Sequence, residues 1–249
     1  FWKTADLSKI YDSLNCPDKQ RIHDTETWKL LQSTYEKSVK KSSMPKGGFI
    51  GLDGFYVPYK VKKGKHGRGI FATKPIPKGT LVWRSFQTAR FEDPAEYRQF
   101  LHDIPAELAC DVIPWAYTRL ERTKTDDLRV VVCVDLDPGS FVNEGMTKFE
   151  RNLKVATPRW TGCKLEFYAT RDILIGEELR INYRFSEMDP GFSALGLRQD
   201  IPSVFETEDL DFDWGEYEDF LDWGNYESDS DDQPSETNTE STSSSSDAQ

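Results

Sequence analysis

Gly67-Arg68-Gly69-Ile70-Phe71-Ala72-Thr73-Lys74-Pro75-Ile76-Pro77-Lys78-Gly79 is the stretch on which the fold turns. If its glycines opened a helix, the N-terminus of that helix would cradle phosphates and the chain would read as a nucleotide-binding α/β protein. Pro75 and Pro77 follow Ile70-Phe71-Ala72 too closely for that, because proline cannot continue a helix interior. The spacing also departs from Gly-x-Gly-x-x-Gly, and no Gly-Lys-Ser/Thr phosphate loop occurs. The stretch reads instead as strand, tight turn, strand. Its glycines would let the backbone approach a flat ligand between two strands; the plainer alternative is an ordinary hairpin.

A second stretch repeats the pattern about a hundred residues on: Phe167-Tyr168-Ala169-Thr170-Arg171-Asp172-Ile173-Leu174-Ile175-Gly176-Glu177-Glu178-Leu179-Arg180-Ile181-Asn182-Tyr183. The strongest strand lies between the two, at Arg129 to Asp135, where Val130-Val131-Val132 is β-branched. Further strands are expected at 80–86, 163–170 and 178–183. Another is expected at 55–61, held to a sheet edge by Pro58. A helical insert begins at Asp93-Pro94, a favoured cap and first-turn pair, and shows Tyr97, Phe100 and Leu101 on one face. A second helical stretch near 106–110 should be interrupted by Pro114. Near the N-terminus, Asp24 caps a helix whose apolar stripe is Trp28, Leu31, Tyr35 and Val39, and 42–48 reads as a linker. Many short strands with one helical insert indicate a β-rich α+β fold.

The chain of 249 residues carries a net charge of −11, but the charge is unevenly placed. No Lys or Arg follows Arg198, and residues 199–249 hold 17 acidic residues. The first 198 residues therefore carry 32 basic against 26 acidic side chains, a balance of +6. An acidic tail suits basic partners and argues against nucleic acid as its ligand. The tail also repeats Asp213-Trp214-Gly215-Glu216-Tyr217-Glu218 as Asp222-Trp223-Gly224-Asn225-Tyr226-Glu227. It ends in Ser-rich low complexity and reads as disordered. The expected organisation is a helical N-terminal extension at 1–48, a β-rich domain at 49–198 and the tail at 199–249.

Four scattered cysteines, at 16, 110, 133 and 163, form no metal-ligand spacing, so no metal site is expected. They do not force a disulfide scaffold, although their spacing leaves room for a single bridge. No apolar run reaches membrane-spanning length, and no membrane partner is expected. Nucleus or cytoplasm is the expected setting, while a start at Phe1 is compatible with a removed leader.

Three blocks, in order, resemble the SET-domain protein lysine methyltransferases. Gly67 to Ala72 is similar to the family's first block, Asp135 through Phe141-Val142-Asn143 to its second, and Gly176-Glu177-Glu178-Leu179 with Asn182-Tyr183 to its closing block. The resemblance covers roughly residues 50 to 190. It implies a SET-like fold with a knot-like crossing of the second and third blocks. It also implies an S-adenosylmethionine-dependent protein lysine N-methyltransferase, whose substrate is a lysine-containing protein such as a histone or another basic protein. On the same ground His66, Gly67 and Arg68 would line the cofactor through their backbone. Asn143 would bind its methionine end, Glu144 would offer backbone contacts to the adenine, and Tyr183 would orient the lysine nitrogen. An asparagine side chain offers both donor and acceptor, and a phenol is a stiff, directional polar group.

The chain departs from the family in three ways. Glu144-Gly145 stands where the family has His and Ser, and Asn152 lies further from Asn143 than usual. The family's cysteine-rich zinc segments are absent, so Phe185, Phe192, Leu195 and Leu197 become candidates for the lysine-channel lid, or simply for core residues. The alternative function is a catalytically inactive SET-like module that binds basic proteins.

Overall fold

The computed structural model describes residues 4–16, 21–45, 53–65, 67–158, 160–185 and 188–198, all within one compact unit, Phe1–Glu208. His66 and the acidic tail lie outside the described residues, as do the side chains of residues 185 and 188–190.

Two helices open the chain, α1 (Leu7–Ser13) and α2 (Thr25–Ser38). Asp24 caps α2 by accepting from the Thr27 N–H at 2.8 Å, and Trp28, Leu31 and Tyr35 are buried along one face. Burying each such side chain is worth about 1.5–3 kcal/mol, which explains why so polar a helix holds its place. The Tyr35 hydroxyl donates to the Arg90 carbonyl at 3.0 Å and so fixes α2 against the strands.

The next elements are β1 (Tyr59–Gly64), β2 (Gly67–Ala72), β3 (Leu81–Arg84) and β4 (Thr88–Phe91), then helices α3 (Pro94–Asp103) and α4 (Ala106–Trp115). After these come β5 (Tyr117–Arg122), β6 (Leu128–Asp135), β7 (Asn143–Glu144), β8 (Leu153–Val155), β9 (Glu166–Ala169), β10 (Arg180–Ile181) and α5 (Met188–Ala194). β1 and β2 form an antiparallel hairpin with Tyr59 opposite Ala72. Two three-stranded antiparallel sheets have the orders β3-β9-β8 and β4-β6-β5. β7 and β10 pair in parallel, Arg180 opposite Asn143 and Ile181 opposite Glu144. This ladder is where the expected crossing of the second and third blocks falls. It is the mixed, β-rich α+β architecture that the sequence led us to expect.

Several boundaries differ from expectation. The strand expected at 55–61 begins only at Tyr59, after Pro58, and Phe55 makes no more than an isolated bridge to Trp83. Proline lacks the N–H a ladder needs, so the strand starts behind it. Pro114 does not interrupt α4, which runs through it to Trp115. In the last turn a proline removes only one helical bond, and the Ala116 N–H still reaches the Val112 carbonyl at 3.0 Å. The strand expected at 178–183 shortens to two residues, and Tyr183 begins a 3-10 turn, Tyr183–Phe185. Met44, within the expected linker, is buried in the core. All four cysteines are paired, as Cys16–Cys110 and Cys133–Cys163, one bridge more than the spacing suggested.

Trp83 anchors the centre of the core. It is fully buried, with its ring 4.6 Å from that of Phe167. Its indole N–H reaches the Asp137 carboxylate at 3.2 Å, which gives the buried polar edge a partner. Phe192 and Leu197, candidates for a channel lid, belong to this core instead, at 5% and 0% exposure.

Candidate functional site

Asp137 shapes the approach to the site. Its carboxylate accepts from the N–H groups of Gly139 and Gly54, both at 2.7 Å, and caps a 3-10 turn, Pro138–Phe141. Gly139 is required here, because a Cβ would lie 2.6 Å from the Trp83 indole. The turn delivers Val142 and Asn143 to β7.

Asn143 is the point where the three blocks meet. Its amide nitrogen donates to the Arg68 carbonyl and to Glu178 Oε1, each at 2.8 Å. Both amide hydrogens are therefore engaged, and the amide oxygen is left as an acceptor among the described residues. Gly69 makes this closeness feasible: a Cβ there would lie 2.4 Å from Glu178 Oε1 and 3.2 Å from Asn143 Nδ2. The expected close approach at the glycines is thus real, but at Gly69 it is made to the protein's own side chains. Gly67 takes a positive φ of 94° at the hairpin turn, a conformation that suits glycine.

The Glu178 side chain is only 7% exposed, and its second oxygen accepts from Arg180 Nη2 at 2.7 Å. Asn152 closes the crossing. Its Oδ1 accepts from the Arg180 N–H at 2.9 Å, and its Nδ2 donates to the Glu178 carbonyl at 2.8 Å. The longer loop after Asn143 therefore still returns a buried asparagine to β10.

The Tyr183 hydroxyl donates to the Val142 carbonyl at 2.9 Å, one residue before Asn143. Burial of that hydroxyl, then the charges of Glu144 and Asp135, push the phenol up to about 12, although the residue as a whole is 36% exposed. It is a neutral phenol at physiological pH, able to donate and accept. Glu144 is half-buried, and its Oε1 lies 3.4 Å from the Tyr183 N–H.

Arg68 turns its side chain away from Asn143. The guanidinium forms a forked pair with Asp111, at 2.9 and 3.0 Å, and lies over the rings of Trp115 and Phe141. The His23 ring nitrogen approaches the same carboxylate at 2.8 Å. Burial alone would raise the Asp111 carboxyl; the hydrogen bonds from His23 and Arg68 outweigh it and hold the group below its ordinary value. Only the Arg68 backbone faces the site, the part of it that the resemblance pointed to.

The structure thus brings together Arg68, Asn143, Glu144 and Tyr183, and places Gly67 at the hairpin turn beside them. His66 lies outside the described residues. Glu178, Asn152, Asp111 and Asp137 were not singled out as site residues from the sequence. Glu178 had a signal, since it stands inside the quoted Gly-Glu-Glu-Leu block.

Asp135, buried, accepts from the Thr88 and Tyr117 hydroxyls, and burial pushes it up to about 6 from 3.8. A carboxyl raised on folding stabilises the fold below its unfolded value and loses that contribution as pH rises through the folded value. The sign gives a test. Asp135→Asn should match the wild type below about pH 4, gain on it as pH rises from about 4 to about 6, and hold a constant advantage on the order of 3 kcal/mol above that. Thermal melts of both proteins from pH 4 to pH 8 measure this, and parallel curves would refute it.

Residues 67–184 match the model of a family described as SET domain. The structure of the Neurospora SET domain protein DIM-5, a histone lysine methyltransferase, aligns at 19% identity and a TM-score of 0.35, over 52% of this chain and 53% of that one. The methyltransferase domain of human histone-lysine N-methyltransferase SETMAR aligns at 24% identity and a TM-score of 0.34, over 52% and 45% respectively. The chain spans about half the length of each of these structures. No curated protein matches it in a sequence comparison.

Proposed function

On the premise that this chain carries a SET domain over residues 67–184, we propose that it is an S-adenosylmethionine-dependent protein lysine N-methyltransferase, with Tyr183 orienting the acceptor lysine. The observation that supports this most is the meeting of three distant segments: the Arg68 carbonyl, the Asn143 amide and the Glu178 carboxylate. The Tyr183 hydroxyl is tied to the adjoining Val142 carbonyl.

The donor set fits a cationic cofactor. Glu144 and Asp135 place negative charge around the phenol, and Glu178 adds to it. Asn143 offers its amide oxygen to an ammonium donor, and the Arg68 backbone carbonyl lies beside it, bound by the Asn143 amide nitrogen. When bound, the cofactor supplies a methyl group on a sulfonium, open to direct displacement by a neutral amine. The protein's part is alignment and water exclusion. Tyr183 Oη, fixed by its bond to Val142, can accept from a lysine N–H and so direct the nitrogen lone pair. A neighbouring cation and a dry setting favour loss of the ammonium proton. Lysine-bearing basic proteins, histones among them, are the substrate class that suits the acidic tail.

Isothermal calorimetry with S-adenosylmethionine, followed by labelled-methyl transfer to a protein array, tests the proposal. Tyr183→Phe should retain donor affinity while lowering kcat by about 10²-fold, the scale of losing one preorganised polar group. Wild-type turnover in Tyr183→Phe would remove that role. The alternative, an inactive module that binds basic proteins, draws on Glu144-Gly145 in the family's His-Ser position. It predicts no thermal shift with the cofactor, whereas a ligand at 100 times its Kd adds about 2.7 kcal/mol to the folded state.

A further inference from the structure

We propose that the Cys16–Cys110 bridge is a redox-addressable site that controls the donor-binding edge at Arg68 and Asn143. This rests on the reading of that edge given above, and the test separates the two. The bridge joins residues 94 apart in sequence, the segment after α1 and the middle of α4.

Cys110 sits next to Asp111 on α4. Asp111 holds the Arg68 guanidinium by two hydrogen bonds, at 2.9 and 3.0 Å, and His23 meets the same carboxylate at 2.8 Å. The Arg68 carbonyl in turn accepts from Asn143 Nδ2 at 2.8 Å. Four residues thus link the disulfide to the amide that joins the three blocks: Cys110, Asp111, Arg68 and Asn143. Arg68 also donates to the Arg21 carbonyl, so the guanidinium is held from both sides of the bridge, by Asp111 on α4 and by the chain that follows Cys16.

The two bridges differ in access. Cys16 is half-buried, whereas Cys133 and Cys163 are 0% and 6% exposed within the sheet core. A dithiol reductant, protein-borne or small-molecule, would therefore meet the Cys16 sulfur first. Its thiolate attacks Cys16 Sγ, the sulfur–sulfur bond breaks, and Cys110 leaves as a thiolate that takes up a proton. The second thiol of the reductant then attacks the mixed disulfide and releases Cys16. Two electrons pass to the protein, and the reductant departs as a cyclic disulfide. With the 94-residue loop opened, α4 loses its covalent hold on the N-terminal helices, and Asp111 its fixed position beside Arg68.

The test uses the full chain, purified under air, with dithiothreitol as reductant. Peptide mapping follows which cysteines are free, calorimetry follows S-adenosylmethionine affinity, and amide exchange follows residues 68–72. The expected result is selective opening of Cys16–Cys110, donor affinity weakened about tenfold, and faster exchange at 68–72. Cys16→Ser should show the weakened state from the start and no further response to reductant. Unchanged affinity and unchanged exchange after mapped reduction would overturn the proposal, as would mapping that finds Cys16 and Cys110 unpaired in the air-purified chain. Should the oxidised chain bind no donor, the reading of the site falls, and the exchange at 68–72 alone decides for or against the tether.

Discussion

Glu178→Ala is expected to cost about 3–5 kcal/mol of folding stability, the scale of removing one member of a buried ion pair. The Glu178 side chain is 7% exposed and serves two groups, Asn143 Nδ2 at 2.8 Å and Arg180 Nη2 at 2.7 Å. Truncation leaves the guanidinium with Glu150, 3.4 Å away, as its remaining carboxylate among the described residues, and strips Asn143 of one of its two acceptors. Glu178→Gln is expected to fall between, since an amide oxygen can still accept from Asn143 but an amide nitrogen opposes Arg180. Guanidinium-chloride unfolding of the three proteins measures the order. A loss under about 1 kcal/mol in the alanine variant, the range of a solvent-exposed pair, would show that Glu178 does not hold the crossing.

A loss of comparable size is expected at Asp111, on the same principle. Arg68 has a side-chain exposure of 3% and lies between aromatic rings, so Asp111→Ala strands a cation where water cannot reach it. The expected cost is again about 3–5 kcal/mol. Replacing both partners with apolar residues of similar size, Asp111→Leu with Arg68→Met, should restore most of it, because the penalty belongs to the unpaired charge rather than to the lost attraction. A double variant as unstable as the single one would show that the pair's geometry, and not its charge balance, stabilises this region. Chemical denaturation of the single and double variants distinguishes the outcomes.

Local chemistry was the legible part of the sequence. Val130-Val131-Val132 marks β6 because β-branched side chains fit a buried pleated surface. Asp93-Pro94 marks the start of α3 because cap and first turn are local, and the Asp93 carboxylate does accept from the Ala95 N–H at 2.8 Å. The order of the three blocks was legible too, and the fold brings Asn143, Arg68 and Tyr183 into one neighbourhood. What stayed hidden depends on distant partners. Asp111 meets Arg68 across 43 positions, and no periodicity in either segment signals the encounter. The Cys16–Cys110 pairing is equally a product of tertiary placement. Short strands such as β9 and β10 end where their partners end, so composition alone draws them too long.

The two hydrogens of the Asn143 amide reach residues 68 and 178, so the site is assembled from parts made early, midway and late in synthesis. A nascent chain on the ribosome holds the first two parts for the whole time that residues 144–177 are being added, with water in place of the Glu178 acceptor of the second hydrogen. Such long-range closure is slow and comes after local structure. The crossing therefore cannot close until residue 178 has been made, and a truncation between residues 170 and 177 keeps β1 to β9 but lacks β10 and the Glu178 acceptor.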